Sequence, residues 1–260
     1  MKLLNALGAF AVIALLSACE VAPVQTGPIQ VDRPQTPGQQ TTGQQTTGQS
    51  GPRLSANAAA RSFVQVVRTL EPVAERECRN RTTGMNCDFN IVVDDRPGQP
   101  ANAFQTLDKN GRPIVAFTLA LIADARNEDE LAFVLGHETA HHIAGHIGRQ
   151  QQNAMAGAVI FAGIATLSGG DATAVRTAQE LGAEVGARRY SKDFELEADA
   201  LGTIITARAG YNPLRGAEFF TRIPDPGDRF LGTHPPNADR LQVVYQTSAR
   251  LWLLPGAASG

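Results

Sequence analysis

The chain is short of net charge, cysteine, long apolar runs and histidine, and each shortage narrows what it can be. Twenty-three basic residues against 25 acidic leave a formal charge of −2 over 260 residues, and no basic patch of a nucleic-acid binder is present. Cysteine occurs three times. Cys78 and Cys87 stand nine apart with no histidine nearby, so they suit a disulfide in an exported protein better than a metal site. Closing that loop would stabilise the fold by roughly 2.5 kcal/mol in the chain-entropy model. The two longest apolar stretches, 3–16 and 154–167, fall short of the roughly 20 residues a spanning helix needs. The second, rich in alanine and glycine, reads as a buried helix or as a plate against membrane or substrate.

Only five histidines are present, at 137, 141, 142, 146 and 234, and four of them fall within ten residues. His137-Glu138-Thr139-Ala140-His141 puts two imidazoles one turn apart on a helix face, where both can reach one zinc ion, with a carboxylate beside the first. Asn127 before Glu128, Asp129 and Glu130 predicts an N-cap with an acidic first turn. Leu131, Val134 and Leu135 give the helix its apolar stripe. The longer pattern with a third histidine six residues on fails, because Ala144 and Ile147 stand where it needs glycine and histidine. His142 points about 100° from His141 and is not expected to ligate; His146 reads as a structural or supporting residue.

The third ligand is expected downstream. Glu195 and Asp199 form a second pair one turn apart, suited to a carboxylate ligand and to an aspartate that accepts the free N–H of a ligating histidine. Glu197 lacks that relation to Asp199.

With these motifs in place, the chain resembles the zinc metallopeptidases that include HtpX, the CAAX prenyl endopeptidases, mitochondrial Oma and the periplasmic lipoprotein proteases BepA and LoiP. The resemblance runs over about residues 55–250, through 101–104, 129–141, His146, Tyr190-Ser191, 195–199, 209–213 and Thr233-His234-Pro235-Pro236 with Arg240. It implies one zinc ion per chain on His137, His141 and Glu195, with Glu138 as general base and Asp199 steadying a ligating histidine. It puts His234 near the metal, either stabilising the reacting carbonyl or capping the zinc at rest. Lys192 departs from the arginine usual in the family, which keeps the charge but loses the bidentate fork.

The N-terminus pairs Lys2 with the apolar 3–16 stretch and Leu16-Ser17-Ala18-Cys19. This resembles a bacterial lipoprotein signal over 1–18, with lipid on Cys19. Removing Lys2 leaves 22 basic against 25 acidic residues, near −3. Glu20, in place of the aspartate tied to inner-membrane retention, favours the outer membrane. Residues 19–53 are rich in Gln, Thr, Gly and Pro and poor in large apolar side chains, so they are expected to be a disordered tether. About 33 flexible residues reach roughly 30 Å on average.

Residues 54–255 then form one mainly helical α+β domain of zincin-like type. It opens on a helix marked by Phe63, Val66, Val67 and Leu70, and carries a hairpin of 104–107 and 112–117 before the active-site helix. The expected function is a periplasmic endopeptidase acting on unfolded or misassembled envelope proteins. The alternative is a non-proteolytic chaperone or assembly factor with a structural zinc, which would have no need of Glu138.

Overall fold

The computed structural model describes residues 53–189, 191–223 and 235–252. The signal segment 1–18, Cys19, all but the last residue of the tether, and His234 lie outside the described residues.

Helix α1 (Ala56–Arg81) begins where the Ser55 hydroxyl accepts the Ala58 N–H, and its buried face is Ala59, Phe63, Val66, Leu70, Val73 and Ala74. Three of the four expected marker residues are buried; Val67 is half-buried. Strands β1 (Asn90–Asp94), β2 (Ala103–Leu107) and β3 (Pro113–Thr118) make a sheet in the order β1-β3-β2. The hairpin β2–β3 pairs antiparallel with Gln105 opposite Val115. Strand β1 pairs parallel to β3, with Val92 opposite Ala116, and β2 is left as an edge. Phe117 of β3 packs on Phe63 of α1 with ring centres 5.1 Å apart.

After the short α2 (Leu119–Asp124) comes α3 (Glu128–Ile143), which carries the two-histidine motif. Asn127 caps it through its side-chain oxygen, which accepts the Glu130 N–H at 3.0 Å. Glu130 itself is buried and does not reach back to the cap. It accepts the Arg126 N–H at 2.9 Å and forms a two-pronged pair with Arg222. Helix α3 is buried on most sides, with Leu131 and Leu135 against α1 and Phe133 against Phe220.

Helices α4 (His146–Leu167) and α5 (Ala172–Arg189) form a hairpin packed almost wholly on itself. The expectation of a buried helix over 154–167 is corrected here, since beyond His146 no residue of α4 is buried. Met155, Val159, Ile160, Ile164 and Leu167 face outward because α4 spends its glycine and alanine face on α5. No described helix is long and apolar enough to cross a membrane.

Helix α6 (Ser191–Arg208) returns to α3, followed by α7 (Pro213–Gly216), a 3-10 turn (Ala217–Thr221) and α8 (Asn237–Trp252). Glu77 of α1, held by Arg81 and Arg208, ties α1 to α6. The carboxyl of Glu77 titrates below the usual range: burial opposes its charge, but the two guanidinium groups outweigh burial.

Candidate metal centre

Two glycines set the site. Helices α3 and α6 cross so closely that a Cβ on Gly202 would lie 2.8 Å from the His137 backbone nitrogen, and one on Gly136 would lie 2.9 Å from the Gly202 carbonyl oxygen. Only residues without a side chain allow that approach. It carries Glu195 and Asp199, two turns and one turn earlier on α6, onto the imidazoles of α3.

His137, His141 and Glu195 converge. The two Nε2 atoms are 3.0 Å apart, and Glu195 places an oxygen 3.5 Å from His137 Nε2 and another 3.4 Å from His141 Nε2. Tetrahedral coordination at zinc's usual bond lengths sets donor atoms about 3.3 Å apart. The donor set and its spacing therefore fit a zinc ion. These three are the described group of histidines and carboxylates that could hold a metal.

The surroundings fix how each imidazole presents itself. Asp199, fully buried, lies 2.9 Å from His137 Nδ1. A carboxylate has no hydrogen to give, so Nδ1 donates and Nε2 is left as the lone pair facing the trio. Arg240 grips Asp199 with two hydrogen bonds of 2.8 Å, stacks on the Phe220 ring at 3.8 Å, and reaches within 3.6 Å of Glu195. Burial works against the charge of Asp199, yet the bonds from Arg240 and His137 hold its carboxyl below the usual range.

His141 is backed differently. Its Nδ1 lies 2.8 Å from His146 Nδ1, and His146 Nε2 lies 3.3 Å from Glu197, which Arg149 also holds at 2.7 Å. With His141 Nε2 facing the trio, the consistent arrangement has His141 Nδ1 donating to His146, and His146 Nε2 donating to Glu197. His146 also stacks on Phe194 at 4.6 Å. His142 turns away from the trio, bonds the Asn86 carbonyl at 2.7 Å and meets Phe89 edge-on. Glu197 is two residues from Glu195 in sequence and touches none of the trio.

Burial and the neighbouring charges drive the two imidazoles of the trio in opposite directions. Burial disfavours charge on His137, but its bonds to Asp199 and Glu195 lift its pKa to about 10. Burial and the charge of His137 push His141 down to about 3. Burial lifts Glu138 to about 7, with His137 opposing and Glu195 adding to the rise. Glu138 stands in the cleft outside the trio, with the nearby Gln105 N–H of β2 working against the rise.

The cleft itself holds about 580 Å³. Residues 101–105, leading into and along the edge of β2 that has no strand partner among the described residues, line it, and Leu121, Val134, Phe219 and Ile223 add apolar lining. Cys78 and Cys87 are brought together with Cα atoms 5.7 Å apart, a separation a disulfide spans.

Sequence reasoning passed over the part played by Arg240. The signal was present: Asn237, Arg240, Val244 and Ser248 share the buried face of α8, so a charged residue interrupts an inward stripe. The contact of His146 with His141 had no such signal, because it depends on the break between α3 and α4 at Ala144 and Gly145, where Gly145 adopts a positive φ of 65°.

The chain is similar to known proteases over part of its length. Over 144 residues, about 49% of this chain and 29% of the relative, the chain is 32% identical to a provisionally named beta-barrel assembly-enhancing protease of Vibrio cholerae. It is 28% identical over 180 residues to the beta-barrel assembly-enhancing protease of Yersinia pestis, covering 61% of this chain and 34% of that one. It is also 27% identical over 139 residues to the mitochondrial metalloendopeptidase OMA1 of Arabidopsis thaliana, covering 52% and 27%. The chain thus spans about a third or less of the length of these relatives. The model of peptidase family M48 matches residues 61–248, and the chain belongs to that family of metallopeptidases.

Proposed function

We propose that the chain is a zinc-dependent endopeptidase of the bacterial cell envelope, anchored by lipid on Cys19 at the periplasmic side, with the outer membrane favoured, and that it cuts unfolded or misassembled envelope proteins. One observation carries the reading: three metal-competent donors converge beside a cleft that also holds a carboxylate outside the trio and a free sheet edge. The envelope setting is supported by the lipoprotein-like start of the sequence and by relatives named for β-barrel assembly.

His137 and His141 would hold the ion through Nε2 and Glu195 through its carboxylate. A bound zinc ion supplies Lewis acidity, polarising a carbonyl and making a nearby water more acidic. The residues of the chain do the rest. Asp199 keeps His137 in the tautomer that offers Nε2, and Arg240 keeps Asp199 ionised. Glu138 takes a proton from the attacking water and delivers it to the departing amine. The edge of β2 holds the substrate backbone extended by strand pairing. The apolar lining of the cleft receives an apolar side chain.

His234 remains assigned, by family resemblance, to oxyanion support or to capping the site at rest. A paired Cys78–Cys87 belongs to the same exported setting.

Purified chain loaded with zinc should cleave a permanently unfolded protein. Chelator should stop it, and Glu195→Ala should lose both the metal and the cleavage. Cleavage unaffected by chelator would contradict the proposal.

A further inference from the structure

The peptidase site uses only the first turn of α4, where His146, Ile147 and Gln150 meet the cleft. The remainder of the α4–α5 hairpin has no part in it. From Gln150 to Gly170 the chain carries no charged residue. Met155, Val159, Ile160, Ile164 and Leu167 are between 58% and 90% exposed. At 100° per residue, Val159, Ile160, Gly163, Ile164 and Leu167 form one stripe, about half a turn from cleft-facing Ile147.

Helix α5 is different. Arg176, Glu180, Glu184 and Arg188 repeat every four residues, opposite Gly182 and Gly186, which abut Gly157 and Asn153 of α4. The pair Arg188–Glu184 closes at 2.8 Å along that stripe. The hairpin is therefore a two-helix plate with one aliphatic edge and one charged edge.

An exposed, continuous apolar stripe of this kind marks a contact surface. Its chemistry distinguishes among occupants. Protein interfaces concentrate their binding energy in Trp, Tyr and Arg anchors with polar pairs at the rim. Here the exposed large side chains are Met, Val, Ile and Leu, with no aromatic or charged group among them. That composition suits a fluid hydrocarbon boundary, which asks for apolar area and no matching shape. The length of chain before the described residues is compatible with this: under the lipid-anchor reading, the stretch between Cys19 and Arg53 would, as a flexible coil, span roughly 30 Å.

We propose that the aliphatic edge of α4 lies in the headgroup–acyl boundary of a lipid bilayer, as an interfacial contact that does not span it. The proposal takes proximity to a membrane from the lipid-anchor reading of Cys19. The contact itself needs only the plate.

The test uses the full chain on phosphatidylethanolamine–phosphatidylglycerol vesicles whose acyl chains are brominated. An environment-sensitive fluorophore is attached at Ile160→Cys, or at Thr177→Cys on the exposed side of α5. Position 160 should shift to the blue and be strongly quenched, while position 177 should keep its aqueous emission. Equal, unquenched emission at both overturns the proposal. In a Cys19→Ser background, which removes the anchor, vesicle binding should persist and fall by roughly tenfold or more when Ile160→Glu and Ile164→Glu withdraw two large apolar side chains from the contact. No vesicle binding by the Cys19→Ser chain overturns the hairpin contact while leaving the anchor reading intact. A dimer in solution that these two substitutions convert to monomer would assign the edge to a second copy and overturn the proposal as well.

Discussion

Two helix pairs in this molecule are brought together by glycine, and they use the closeness for opposite ends. Where α3 meets α6, Gly136 and Gly202 let two backbones approach so that Glu195 and Asp199 reach the imidazoles of α3. His137, Glu195, Asp199 and Arg240 are paired there and lie almost wholly out of solvent. Where α4 meets α5, Gly157, Gly182 and Gly186 let two helices fuse into a plate whose aliphatic edge faces outward. The same local device yields a rigid polar centre when the flanking residues are acids and histidines. It yields an apolar face exposed among the described residues when they are valine and isoleucine.

The largest way to break that contrast is to empty the polar centre. Asp199→Ala leaves Arg240 buried without its carboxylate, and removing one member of a buried pair costs about 3–5 kcal/mol. Thermal unfolding of the metal-free chain should show the loss. A change within error of zero would mean that Arg240 escapes to solvent and that the centre is not rigid.

A smaller effect separates the two glycine contacts. Gly202→Ala places a methyl against the His137 backbone, and overpacking of this kind costs about 1–3 kcal/mol. It should also weaken metal binding, because α6 must back away with Glu195. Gly182→Ala is as crowded, with a Cβ 2.3 Å from the Gly157 carbonyl oxygen. Its strain should stay in the hairpin, so zinc affinity by competition with a chelating dye should match wild type. Equal loss of zinc in both variants would erase the distinction between the two regions.

The fold and the trio were legible in the sequence because local rules carry them. The histidine pair, the Asn127 cap and the Glu195–Asp199 spacing follow from helix geometry, and the hairpin follows from a turn between two apolar stretches. What was not legible depends on approach in space. Strand β1 pairs parallel to β3 across more than twenty residues, and no turn signal announces a parallel partner. The apolar run of α4 was ambiguous for a physical reason: composition tells how much apolar surface exists, and only the packing of α5 tells which side it covers.

The smallest expected effect tests the relay behind His141. Glu197 touches His146 and Arg149 but none of the three donors. Partners at that remove typically tune metal affinity by roughly 10–100-fold, and with Glu197 half exposed the lower end is expected for Glu197→Ala. Glu195→Ala should lose far more. A reversed order would make Glu197 the ligand and undo the geometry described here.

The central claim is that the carboxylate beside the metal trio moves a proton and does not hold the ion. Glu138→Gln keeps the size of the side chain and removes its basicity. The variant should bind zinc one to one with wild-type affinity, unfold at an unchanged temperature, and fail to cleave an unfolded protein that the wild type digests. Cleavage by the zinc-loaded variant at a rate near that of the wild type would contradict the account.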